Sequence, residues 1–184
     1  GSRAPRFALP DTDARVVELE DFRDAPALLV AFLCNHCPYV KHIENELVRF
    51  GREYMPRGLA MVAINANDVE AHPEDGLDAM RERRADLGYP FPYLLDEDQS
   101  IAKAYAAACT PDFFLYDAER RLVYRGQFDA SRPGLDLPVT GADLRAAVDA
   151  VLAGEPPLPT QRPSLGCNIK WKIGREPAHA GSPR

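Results

Sequence analysis

Two uninterrupted apolar runs dominate the polarity pattern of this chain. Ala27-Leu28-Leu29-Val30-Ala31-Phe32-Leu33 and Leu59-Ala60-Met61-Val62-Ala63-Ile64 carry no polar side chain at any position, the pattern of strands buried on both faces of a sheet. Between them Val40, Ile43, Leu47 and Phe50 recur at spacings of three, four and three, the apolar stripe of a helix over 38–50. Pro38 suits its first turn, where a missing N–H costs no bond. The pattern breaks over 52–58. Further on, residues 73–87 predict a charged surface helix stopped by Gly88, 91–95 a short strand and 100–108 a short helix. Residues 112–116 and 122–128 flank a turn at 117–121 and predict a β-hairpin. Thr140-Gly141-Ala142-Asp143 is a capping-box-like opening to a helix ending at Leu152, with Gly154 as its stop. Toward the N-terminus, residues 5–24 are turn-rich, with 16–19 a short edge strand.

The order strand, helix, strand, helix, hairpin, helix implies a right-handed parallel crossover followed by antiparallel strands added to the same sheet. Helices should cover both faces of this α/β domain, which spans residues 5–153. A Pro-rich tail follows over 154–184. Six of the chain's 17 prolines fall in its last 30 residues, so the tail either wraps the domain or stays partly disordered.

Composition narrows the function classes. The 184 residues, 46% hydrophobic and 27% charged, fit one soluble domain with extensions. A net charge of −6 without a basic stripe argues against a nucleic-acid partner. An apolar run of seven residues is far short of the roughly 20 that span a bilayer, so no membrane partner is expected. Residues 1–10 lack a basic segment followed by an apolar one, which makes a cytoplasmic location the expectation. Gly1-Ser2 reads as an expression scar, which leaves the natural N-terminus open. Four cysteines do not make a disulfide scaffold in a chain that buries its own core, and point to metal binding or catalysis.

Cys34-Asn35-His36-Cys37 carries the candidate chemistry. It joins the first apolar strand to the first helix, where the positive helix end favours a thiolate and lowers thiol pKa from about 8.5 toward roughly 3.5–7.5. A structural thiol pair or half a zinc site is the bland alternative, and the strand–helix context favours redox chemistry. His36, when protonated, would stabilise a Cys34 thiolate; otherwise it is a solvated surface residue. Cys109, next to Thr110-Pro111, is either a small buried hydrophobe or a further redox thiol. Cys167 is either an incidental tail thiol or a third active thiol, returned to the site by the anchors Ile169 and Trp171. A zinc or cuprous site could draw on Cys34, Cys37, Cys109 or Cys167 with His36 or His42. The spacing repeats no second Cys-x-x-Cys, so neither a metal nor another cofactor is expected. Residues 129–134 form a turn-rich loop that either edges the site or is solvated.

The strand order, with Cys-x-x-Cys at the end of the first buried strand and Thr110-Pro111 before the hairpin, resembles the thioredoxin fold: a central mixed sheet flanked by helices, here with an N-terminal extension. The N-terminus and the insertion between the halves are similar to the redoxin branch, the alkyl hydroperoxide reductase and thiol-specific antioxidant proteins. The resemblance implies that Thr110-Pro111 is a cis bond packed against the cysteines, with the Thr110 backbone open to an added strand from a partner peptide. It implies a thiol–disulfide oxidoreductase in which Cys34 attacks a protein or small-thiol disulfide and Cys37 resolves the mixed disulfide. Recycling would fall to a thioredoxin–thioredoxin reductase or glutathione system. Cys37-Pro38 supports a rival, a peroxiredoxin-like thiol peroxidase in which Cys37, or else Cys34, is peroxidatic. Against it, Cys34 stands where peroxiredoxins carry Thr, and only Arg125 and Arg132 are candidates for their arginine. Thioredoxins also keep a buried acid on the central strand. Residues 27–33 contain none, leaving proton transfer to His36, Lys41 or solvent.

Overall fold

The computed structural model describes residues 1–180. Along the chain run β1 (Ala8–Pro10), β2 (Val16–Glu18), β3 (Ala27–Phe32), α1 (Pro38–Tyr54), β4 (Leu59–Asn65), α2 (Leu77–Leu87), β5 (Tyr93–Leu95), α3 (Ser100–Ala104), β6 (Cys109–Thr110), β7 (Asp112–Tyr116), β8 (Leu122–Gly126), α4 (Ala142–Leu152) and β9 (Cys167–Asn168). Five strands make one mixed sheet in the order β5-β4-β3-β7-β8. β3 lies at its centre, parallel to β4 and antiparallel to β7. Among the described residues no helix is long and apolar enough to cross a membrane.

The all-apolar β3 divides by parity between two cores. Ala27, Leu29, Ala31 and Leu33 pack with the buried faces of α1 and α4. Leu28, Val30 and Phe32 pack with Phe7, Leu9, Ala102, Tyr105 and Ile169 on the opposite face. β7 divides in the same way, Phe113 and Leu115 to the first core and Phe114 and Tyr116 to the second. Each such side chain contributes roughly 1.5–3 kcal/mol by leaving water, so the centre of the sheet is the firmest part of the molecule. The active-site motif begins where it ends.

The elements differ from their sequence expectation in instructive places. α1 continues past Phe50 to Tyr54, whose ring is buried and packs on Phe50 with centroids 4.7 Å apart. The stripe has a further member four residues on, and a 3-10 turn over Met55–Arg57 follows before Gly58, at φ 109°. The helix expected over 73–87 is split: Pro73–Asp75 is a 3-10 turn, and extended backbone at Gly76 (ψ 168°) precedes α2. That break turns Asp75 inward. α3 ends early because the backbone at Ala106 is left-handed, φ 54°. The edge strand at 16–18 pairs with β1, outside the main sheet.

Two further expectations are corrected. The opening of α4 is not closed by its own capping box. Asp129 Oδ2 instead accepts the Thr140 and Gly141 N–H groups at 2.8 and 2.7 Å. The loop at 129–134 is therefore only partly solvated, with Asp129 and Ser131 buried. The Pro-rich tail wraps the domain. β9 pairs antiparallel with β6, Thr110 opposite Cys167, and Ile169 enters the second core.

The two-core arrangement predicts a large local asymmetry. Leu29→Ala, at a fully buried site, should cost about 2–5 kcal/mol in denaturant unfolding. Val16→Ala, 60% exposed, should stay within about 0.5 kcal/mol. Equal effects would contradict the placement of the core.

Candidate active site

Cys34 follows the last residues of β3, where the Leu33 N–H donates to the Ile64 carbonyl. The next three residues turn tightly and α1 begins. Asn35 fixes that turn: its N–H donates to Asp75 Oδ1 at 2.8 Å, its amide donates to the Glu74 carbonyl, and its carbonyl oxygen accepts from the buried Tyr93 hydroxyl. Cys37 is the N-cap of α1, with Pro38 in the first turn. The Thr110–Pro111 bond is cis, and Thr110 faces both sulfurs. Its Oγ1 lies 3.3 Å from Cys34 Sγ, and its carbonyl lies 3.3 Å from Cys37 Sγ.

A third sulfur completes the cluster. Cys167 Sγ lies 2.7 Å from Cys37 Sγ, carried there by the β6–β9 pairing. Cys109 is buried too, with its Sγ 3.7 Å from the Pro111 carbonyl. Cys34 and Cys37 are 3% and 0% exposed, whereas Cys167 is half-buried.

The electrostatics separate the three thiols. The hydrogen bond from Cys34 contributes most to lowering Cys37. With help from Cys167 and the Val40 N–H, it brings this thiol down to about 4 against the opposing effect of burial. The same Cys34–Cys37 bond, burial and the Asp75 charge push Cys34 well above the usual thiol range. Burial and the bond to Cys37 raise Cys167 to about 11. Of the three thiols, Cys37 at the helix N-terminus is thus the most readily ionised, with Cys34 and Cys167 above it.

Asp75 is the residue the sequence did not disclose. It is fully buried, accepts from Asn35, Asn65 and Asn67, and has a carboxylate oxygen within 4.8 Å of Cys34 Sγ and of a His36 ring nitrogen. The acid absent from β3 is thus supplied by the turn at Pro73–Asp75. Its only local signal was Asp-Gly interrupting a helical pattern. His36 was expected, when protonated, to stabilise a Cys34 thiolate. One of its ring nitrogens lies within 4.8 Å of Cys34 Sγ, and its Nδ1 is 2.6 Å from Asp75 Oδ2. The ring also stacks on His72, with centroids 5.7 Å apart.

The remaining candidates fall elsewhere. His42 Nε2 lies 3.2 Å from Ser131 Oγ. Arg125 donates to the Ala106 carbonyl and covers the Phe114 ring, and Arg132 donates to Gln127 Oε1. Among the described residues, the ligand groups that converge on metal-site spacing are Cys34 with His36 and Asp75, and His36 with His72 and Glu74. This is not the cysteine-rich set read from the sequence.

A mixed sheet with Cys-x-x-Cys at the β3–α1 junction, facing a cis-proline, defines a thioredoxin-like protein. Residues 1–125 match the AhpC/TSA family, and the chain belongs to it. The thiol-disulfide oxidoreductase ResA of Bacillus subtilis is 26% identical over 123 residues, 67% of this chain and 64% of that protein. The match thus spans slightly less than two thirds of that relative. The crystal structure of a hypothetical protein from Sinorhizobium meliloti superposes with a TM-score of 0.93 at 58% identity, covering 95% of each chain. The thioredoxin domain of a thiol-disulfide oxidoreductase from Bacteroides vulgatus shares the fold, with a TM-score of 0.60 at 18% identity over 80% of this chain and 96% of that one.

The His36–Asp75 contact generates a prediction. Without His36 the Asp75 charge beside Cys34 is unopposed, which disfavours the thiolate-bearing reduced state. His36→Ala should make the couple more reducing by more than ~10 mV, about half a kcal/mol for two electrons, in glutathione redox buffers. A potential unchanged within that margin would remove His36 from the tuning of the site.

Proposed function

We propose that this protein is a thiol–disulfide oxidoreductase whose working pair is Cys34 and Cys37. One observation carries the reading: both sulfurs lie against Thr110, beside a cis-proline, with the charge of the pair held at a helix N-terminus. That arrangement suits thiol–disulfide exchange, which needs a thiolate, a neighbouring resolving thiol and a backbone edge on which to align the substrate. The similarity to ResA and membership of the AhpC/TSA family point the same way.

In the proposed cycle Cys34 attacks one sulfur of a protein or small-thiol disulfide, its proton passing to Cys37 as the new S–S bond forms, because Cys37 is held low chiefly by the hydrogen bond that Cys34 donates to it. The substrate's other sulfur leaves as a thiolate. Cys37, now protonated, donates to the Thr110 carbonyl. When it passes its proton to the leaving thiolate, it attacks Cys34, closing the Cys34–Cys37 disulfide and releasing the substrate's second sulfur. Asp75 is the buried carboxylate beside Cys34, and His36 Nδ1 lies 2.6 Å from it. Thiols from a thioredoxin or glutathione system would return the pair to its reduced state.

Trapping tests the division of labour. Cys37→Ser should accumulate mixed disulfides with substrate proteins through Cys34, and Cys34→Ser should not. Adducts formed only by Cys34→Ser would reverse the two roles. The reduced protein should catalyse insulin reduction far more effectively than it consumes hydrogen peroxide. The opposite preference would favour the peroxidase chemistry suggested by Cys37-Pro38.

A further inference from the structure

The edge on which a substrate strand would align is already occupied. β9 lies antiparallel on β6, Thr110 opposite Cys167 and Cys109 opposite Asn168. The Ile169 N–H extends the pairing to the Ala108 carbonyl. The tail is fastened on both sides of Cys167. Before it, Ser164 Oγ lies 2.8 Å from Asp112 Oδ1 and 2.7 Å from the Gly126 carbonyl. After it, the Lys170 N–H donates to Asn67 Oδ1 and the Lys172 N–H to Gln99 Oε1, both at 2.9 Å. Asn67 and Gln99 are themselves buried.

Gly166 shows how closely the strand is fitted. A Cβ at this position would stand 2.0 Å from the Thr110 carbonyl oxygen, so only glycine permits the approach. The consequence is chemical as well as steric. Cys34 is nearly and Cys37 fully buried beneath this strand, and Cys167 is the most exposed sulfur of the three. With the strand in place a small external thiol meets the cluster at Cys167, whereas a substrate reaches Cys34 only where the strand gives way.

We infer that Cys167 is a relay thiol through which the buried Cys34–Cys37 disulfide is re-reduced by an external small thiol. The inference rests on the proposed redox role of that pair. In the first step Cys167 gives up its proton and its sulfur attacks Cys37 Sγ. The Cys37–Cys167 bond forms, the Cys34–Cys37 bond breaks, and Cys34 leaves and takes a proton. Next an external thiolate attacks Cys167 Sγ, forming a mixed disulfide and expelling Cys37 as a thiolate. A second external thiol then releases Cys167 as a thiol and departs as the external disulfide. Two electrons pass from two external thiols to the Cys34–Cys37 pair. The first exchange is set up by the 2.7 Å approach of Cys167 to Cys37; the second is favoured by leaving-group strength, since the expelled Cys37 is lowered to about 4.

Two measurements decide the inference. First, Cys34→Ser, mildly oxidised and mapped by mass spectrometry without reduction, should carry a Cys37–Cys167 disulfide. Adding Gly166→Ala, which displaces the strand, should lower its yield about tenfold. Second, oxidised Cys167→Ser should be re-reduced by glutathione at least about tenfold more slowly than the oxidised wild-type protein, as loss of an intramolecular exchange partner requires. Free Cys37 and Cys167 in the first experiment, or wild-type re-reduction in the second, would overturn the relay. If the wild-type protein nevertheless forms the Cys34–Cys37 disulfide and reduces insulin, the proposed function stands without the relay. A wild-type protein that never forms that disulfide would overturn both.

Discussion

A sulfur that keeps its charge inside a protein needs donors in place of water, because desolvation alone drives a thiol toward its neutral form. Cys37 meets that requirement at full burial. The first turn of α1 supplies the Val40 N–H, Cys34 supplies its thiol, and Cys167 supplies both its thiol and its backbone N–H. Each donor arrives by a different route. Cys34 comes from the end of β3, Val40 from the helix that Cys37 itself opens, and Cys167 from a strand more than a hundred residues away in the chain. The rest of the site is arranged around that charge. Asp75 sits on the Cys34 side, where its own charge opposes a second thiolate. The Thr110 carbonyl lies where a protonated Cys37 can donate to it.

The fold makes this convergence possible because its centre is over-determined. β3 is buried on both faces and paired on both edges, so its end is a fixed point from which the Cys-x-x-Cys turn is launched. β7, the antiparallel neighbour of β3, fixes Thr110 and Pro111 on the strand end opposite. The tail then adds a strand to β6 and closes the site. In this member of the AhpC/TSA family the β6 edge beside Thr110 is paired with the chain's own tail.

The central strands, the crossover and the Cys-x-x-Cys junction were readable from apolar runs and the period of α1, since burial on both faces leaves an unambiguous pattern. Thr110-Pro111 was readable through its resemblance to known thioredoxin-like proteins. Asp75 was not. A carboxylate in a charged, proline-led segment looks solvated, and only the break at Gly76 reveals that it turns inward. The reach of α1 to Tyr54 was missed because Gly51 and Arg52 interrupt the apolar stripe, although Gly51 packs against Pro90 and Met61. The partner of Cys167 was also beyond local pattern. Ile169 and Trp171 suggested an anchor, but which sulfur it would face depends on the β6–β9 register, and the sequence does not encode that register locally.

The behaviour of the reduced centre depends on which sulfur ionises first. The most direct measurement is the thiolate absorbance of the fully reduced protein near 240 nm, followed from acid to alkaline pH in the wild type and in Cys37→Ser. One thiolate should appear in the wild type well below neutrality, and Cys37→Ser should lack that step. A first thiolate appearing only near pH 8.5, the ordinary thiol range, or an acidic step that survives in Cys37→Ser, would contradict a site organised around a charged Cys37.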